Sequence, residues 1–441
     1  MAISTQAAIA HLYRRAGFGA RPEEVAAAAR QGYGATVTAL VAGLGQSDTG
    51  AAAVALPTLS SYPADYASLR RDPAALQAFR KGLVAEHEAL TDWWLARMLA
   101  TTQPLAEKLT LLLHGHFPTA VSKVRLPLFM YGQNQLFRTQ GPGDFTALTL
   151  AVATDPAMLI WLDAASDKAS DPNENFAREL MERFTMGVGT YTEADVRAAA
   201  YCFTGWRLDL ATGAFSISAL DHADAPQTVL GAPGLTTGQQ VIELVTRTAA
   251  SDRYVPAAFF SHLAYPVTPA DPVVADLAST YAADRSLSAL VEAIFSHPAF
   301  LSDRATTGLA KQPVEYVVGA LRALGVSPGQ LAGAGRGVQG VLADMGQVLF
   351  DPPSVGGWAQ NQYWLSTAAA LARWRFAHRL AAGADLSAVA DQPRRSRVEA
   401  AASLLSVPGW SSTTASALSG ASGDPQLLVT LALVSPEYVS N

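Results

Sequence analysis

The chain has 441 residues, 50% apolar and only 15% charged, which excludes a disordered polymer and leaves room for one large domain or two to three ordinary ones. Its balance is mildly acidic, 31 Lys and Arg against 37 Asp and Glu. No basic stripe stands out, so nucleic acid is not an expected partner. The single cysteine, Cys202, excludes an intrachain disulfide, and its neighbours Tyr201 and Phe203 suggest an inert thiol packed on a helix.

From the N-terminus, residues 1–10 are Ala-rich but have neither a charged n-region nor a long apolar h-region. The chain as given is therefore expected to be cytoplasmic. Residues 93–99 (Trp93, Trp94, Ala96, Met98, Leu99) fit an amphipathic helix, and 105–113 fit another that Pro104 opens. Residues 147–162 come nearest to a membrane span, but Asp155-Pro156 breaks the run well short of the ~20 apolar residues required.

A further helix is predicted over 175–186, with Asp171-Pro172-Asn173 as turn and N-cap and Gly187-Val188-Gly189 as terminator. The next opens on Thr192-Glu193-Ala194-Asp195, close to a capping box, and stops at Gly205. Helices are also expected over 287–295, 314–324 and 367–380. Strand signals are confined to 215–218 and 228–230, which suggest a short hairpin. The stretches 43–61 and 325–340 are rich in Gly, Ala and Ser and are expected to be loops. The pattern predicts an all-α fold, with residues 1–380 as a helical domain, a polar, hairpin-like insertion at about 207–237, and residues 381–441 as a helical extension packed on it.

Several blocks carry a family resemblance. They are His11-Leu12-Tyr13-Arg14-Arg15-Ala16-Gly17-Phe18-Gly19, Lys108 through His114-Gly115-His116-Phe117, and Asn173-Glu174-Asn175-Phe176-Ala177-Arg178-Glu179-Leu180-Met181-Glu182 on through Thr192 to Trp206. Lys311-Gln312-Pro313-Val314-Glu315 and Phe350-Asp351-Pro352-Pro353-Ser354-Val355-Gly356-Gly357-Trp358 follow. In this order they resemble the bacterial family labelled domain of unknown function 1800. The resemblance implies a helical, envelope- or polymer-related protein. Similar proteins often carry export signals and are encoded beside a protein that looks like an alkaline phosphatase. Two departures stand out. His222-Ala223-Asp224-Ala225-Pro226-Gln227 lacks the Lys that ends the corresponding loop in similar proteins, and Ala258 stands where they tend to carry Lys.

The chemistry-bearing residues form three groups. Glu179 and Glu182, three apart on one helix face, suit an acid and a base, with Asn173, Asn175 and Arg178 near the helix start to hold substrate. As surface residues they would instead form the i, i+4 pairs Arg178–Glu182 and Glu179–Arg183. His114 and His116 either assist the glutamates in catalysis or bind one divalent metal, zinc, manganese or iron, the latter only if the chain leaves helical geometry between them. Trp358 and Trp364, with Trp206, suit stacking on a sugar, although Trp358 alone reads more simply as core. Asp221, Asp224 or Asp195 supplies the second carboxylate if the glutamates are too close to serve as the pair, and His222 and Asp224 are candidates to hold substrate. The expected function is a hydrolase or lyase acting on a glycan. The alternative is a non-catalytic partner or maturation factor for the phosphatase-like protein encoded nearby.

Overall fold

The computed structural model describes residues 3–63, 65–327 and 337–440. Part of the Gly-rich stretch expected as a loop, residues 328–336, lies outside the described residues. Among those described the fold is mainly helical, with two two-stranded sheets. The helices that carry the argument are α1 (Thr5–Ala16), α2 (Pro73–Ala100), α3 (Pro104–His116), α4 (Pro127–Gln140), α5 (Glu174–Glu179), α6 (Glu193–Phe203), α7 (Ser251–Leu263), α8 (Pro313–Ala323), α9 (Thr367–Gly383) and α10 (Pro425–Leu433).

Local chemistry starts these helices, and α2 begins about twenty residues before the expected stretch 93–99. The Asp72 carboxylate caps α2 by accepting from the amides of Ala74 and Ala75. Proline at the first position of α2, α3, α4, α8 and α10 removes an amide that the helix leaves unpaired in any case. Thr192 and Asp195 form the expected reciprocal capping box on α6.

Two apolar cores meet at α3. One gathers Leu109, Leu112, Leu113, Phe117, Phe145, Phe184 and Phe259. The other gathers Leu111, Trp94, Tyr316, Phe350, Phe376 and Tyr438. The C-terminal segment belongs to this second core: α10 packs on α9, and the Tyr438 ring lies 5.6 Å from that of Tyr316. A residue of α3 that is not apolar therefore needs a partner, and Glu107 has three. Its carboxylate, 1% exposed, accepts from Trp94 Nε1 at 2.9 Å, from Arg97, and from Arg138 of α4 at 2.8 and 2.9 Å. Truncation to Glu107→Ala leaves two guanidinium groups facing each other in a nearly dry site. We expect a loss of about 3–5 kcal/mol in urea unfolding, whereas the exposed Glu399→Ala changes it by less than about 0.5 kcal/mol.

The polar insertion is built differently from the single hairpin expected. β1 (Trp206–Leu208) pairs with β2 (Phe215–Ile217), and β3 (Gln227–Val229) with β4 (Ala232–Leu235). Each strand pairs with the next in sequence rather than across the insertion, over a short loop at 209–214 in the first hairpin and a tight turn at 230–231 in the second. The cost of loop closure favours that choice for three- and four-residue strands. Among the described residues no helix is long and apolar enough to cross a membrane.

Candidate functional site

The α3 helix runs without a break through Gly115 and ends only at Phe117, whose amide closes on Leu113 O. A loop from the second core presses on this end. Gly357 adopts φ +73°, and a Cβ there would lie 2.3 Å from Gly115 O, so only glycine allows this approach. Beside the contact opens a cleft of about 290 Å³ whose polar lining comes from His116, Arg183, Tyr254, Ser261, His262 and Gln360. Ala257 and Ala258 of α7 and Val355 and Gly356 of the loop complete the walls.

The hydrogen bonds of the two histidines assign their tautomers. His116 donates from Nε2 to Phe184 O at 2.8 Å, which leaves Nδ1 with the lone pair. Burial pushes its pKa down to about 4, with the charge of His262 adding a little, so the ring is neutral at pH 7. His262 donates from Nδ1 to Ala258 O at 2.8 Å, and its Nε2 accepts from Gln360 Nε2 at 2.7 Å. That bond turns the Gln360 amide and leaves its oxygen as an acceptor. Burial lowers the His262 pKa too, and the interior pair Lys108–Glu315 acts on the same ring.

Arg183 comes from a π-helical turn, Leu180–Thr185, that continues α5. The sequence predicts one α-helix through Met186; the observed helix widens because the Thr185 hydroxyl donates to Leu180 O, five residues back. The amide of Met186 likewise reaches Met181 O. Such insertions re-aim side chains and are frequent at functional sites. Here the turn delivers Arg183, half exposed, to the cleft, where its guanidinium Nε sits 3.4 Å from Glu182 and 4.0 Å from Glu179. Tyr254 closes one side, its hydroxyl donating to Arg183 O at 2.8 Å.

Three of the blocks quoted above thus meet at the cleft, since α3 supplies Gly115 and His116, the run after Asn173 leads into Arg183, and Gly356 comes from the last block, while Glu315 of another acts on His262. The family model described as protein of unknown function (DUF1800) matches residues 11–440. The chain belongs to this family. The match continues through the C-terminal segment, in keeping with its place in the second core. No curated protein and no solved structure matches.

Of the residues expected from sequence, the structure brings His116 to the cleft and places Glu179 and Glu182 behind Arg183. Glu179 is half-buried, and its Oε2, 4.0 Å from Arg183 Nε, has no hydrogen-bond partner. Its pKa is raised by burial and by Glu182, against the opposing charge of Arg183. Glu182 instead accepts from Tyr191 at 2.8 Å. Of the two ion pairs considered, Glu179–Arg183 forms, whereas Arg178 turns to Glu174 and Glu193 and away from Glu182.

His114 faces away from His116. Its ring lies among Trp94, Phe137, Phe350 and Trp358, at centroid distances of 5.2 to 6.3 Å. The helix does not end between the two histidines, so they cannot share a metal. Among the described residues no three His, Cys, Asp or Glu side chains group as metal ligands. The stacking platform is also not built as expected. Trp206, Trp358 and Trp364 are all buried; Trp206 packs edge-on against Phe203 and Phe215.

Asn173 caps α5 with its side chain, and Asn175 is exposed. Asp221 pairs with Arg207 at 2.5 Å, His222 Nδ1 bonds Thr204 O, and Asp224 is exposed; none of the three lines the cleft. Sequence reasoning missed Tyr254, His262 and Gln360 and read Arg183 only as an ion-pair partner. One signal was present: Tyr254, Ala258 and His262 repeat every four residues and so share one face of α7. The position flagged for its missing Lys, Ala258, lies at the centre of that face. Cys202 is buried, with its pKa raised to about 11 by burial, as expected of an inert thiol.

Proposed function

We propose that the cleft is the active site of a glycan lyase acting on an acidic sugar at or near a chain end. The observation that carries this reading is that His116, whose Nδ1 keeps its lone pair, and Arg183 line the same small cleft. Elimination from a uronate needs a cation on the carboxylate, to acidify the neighbouring C–H, and a neutral base to take that proton. Arg183 is the cation and His116 the base. The C–H proton goes to Nδ1, a double bond forms, and the C–O bond at the next carbon breaks. The departing oxygen takes its proton from the imidazolium so formed or from water. Gln360 offers its free oxygen to a sugar hydroxyl.

The hydrolytic half of the expectation fits less well. Glu179 and Glu182 share Arg183, lie three residues apart, and stand outside the lining, whereas hydrolysis by two carboxylates flanks the bond with them. A volume of about 290 Å³ suits one or two sugar rings rather than a long chain.

The test is incubation of the purified protein with uronate polymers and oligomers, following ultraviolet absorbance of the conjugated double bond. Absorbance rising with time supports the reading. Reducing ends without absorbance indicate hydrolysis, and no product from any uronate substrate leaves the non-catalytic partner role.

A further inference from the structure

Helix α9 buries one face, Ala372, Phe376 and Ala377, in the second core. Its opposite face is unusual for a surface. Leu371 is 48% and Trp374 39% exposed, and the turn that precedes the helix adds Tyr363 at 71% and Leu365 at 51%. Arg375, His378 and Arg379 stand exposed on the same helix, and the Trp374 ring stacks parallel to that of His378. Arg373 is a separate case, buried and bonded to Trp364 O. From position 352 to position 384 the sequence holds three arginines and a histidine and not one Asp or Glu, in a chain whose net charge is −6.

We propose that this face docks on the surface of an anionic lipid bilayer. Three observations select that occupant. The charge is locally positive within an acidic protein, so an anionic surface is attracted at this face. The apolar residues include leucines, which gain from contact with acyl chains and have no stacking role on a sugar. Trp and Tyr beside arginines is the composition found at the lipid headgroup boundary, where the ring sinks and the guanidinium stays among phosphates. No part of the chain needs to span the bilayer, so contact is shallow and depends on the anionic lipid. The proposal stands apart from the lyase reading and does not depend on it.

The test is sedimentation of the full chain with phosphatidylcholine vesicles, with and without phosphatidylglycerol, at low salt. The expected result is binding to the phosphatidylglycerol vesicles only. Arg375→Gln and Arg379→Gln each weaken it about fivefold, and Trp374→Ser by about tenfold. All three positions are exposed, and unchanged urea midpoints establish that the variants fold. No binding to anionic vesicles overturns the proposal, as does equal binding to neutral ones or equal binding by the variants. A face that instead takes an acidic protein or a glycan gives the first of these results.

Discussion

Replacing His114 with Phe is expected to leave stability near neutral pH within about 1.5 kcal/mol of the wild type and to favour the variant progressively in acid. The imidazole sits in an aromatic cage with Nε2 unpartnered, so the phenyl ring sacrifices no hydrogen bond at that atom. Burial lowers the His114 pKa to about 3 in the folded protein, against 6.5 for the free side chain. Between those values the unfolded chain binds the proton and the folded chain does not, so the wild type loses stability as the pH falls. The loss attributable to this one group is about 1.4 kcal/mol per pH unit, or about 3 kcal/mol by pH 4.

Urea titrations of both proteins from pH 7 to pH 4 give the gap directly. The comparison matters because other buried groups act in the opposite sense. Burial raises Asp155 to about 7 and Asp167 to about 6, and each favours the folded state as pH falls. Those contributions are common to both proteins and cancel in the difference. A gap that stays constant with pH contradicts the buried, neutral assignment.

The elements that local chemistry specifies were legible in the sequence. The Pro104 start, the Asn173 cap, and the Thr192–Asp195 box each place a helix end to within a residue or two. The π turn was not legible, because apolar spacing at 3.6 residues tolerates one inserted residue and the decisive contact is the Thr185 hydroxyl on a carbonyl. The site was legible only in part for a different reason. His116, Arg183, His262 and Gln360 come from four separated segments, and nothing local says that a loop near 357 will close on the end of α3. The tryptophans show the same limit. Trp206, Trp358 and Trp364 have the composition of a binding platform, yet their burial is decided by partners far away in sequence. Conversely, nothing in the local pattern singles out Trp374, which stays partly exposed on α9.

The His116→Gln variant is the sharpest test of the chemistry, and its turnover of an acidic glycan is expected to fall by about 10²–10⁴. Glutamine keeps an N–H able to donate to Phe184 O, so the end of α3 retains its anchor while the basic nitrogen is lost. An unchanged urea midpoint then separates chemistry from folding. In the wild type the base has a pKa of about 4, so its limb of the rate profile is flat from about pH 5 upward and falls only below that. Substrate carboxylate bound beside it raises this value, moving the fall to higher pH in kcat than in kcat/KM.

Arg183→Gln removes the cation and is expected to cost about 10²–10³ in kcat, since it meets charge that develops in the transition state. Glu182→Gln separates the two mechanisms. As a group that positions Arg183, it should change KM more than kcat, by about tenfold or less, with the pH limb unmoved. As one of two catalytic carboxylates, it should abolish turnover and move the limb. A His116→Gln protein that turns over at the wild-type rate rules out the imidazole as base, whatever the glutamate variant shows.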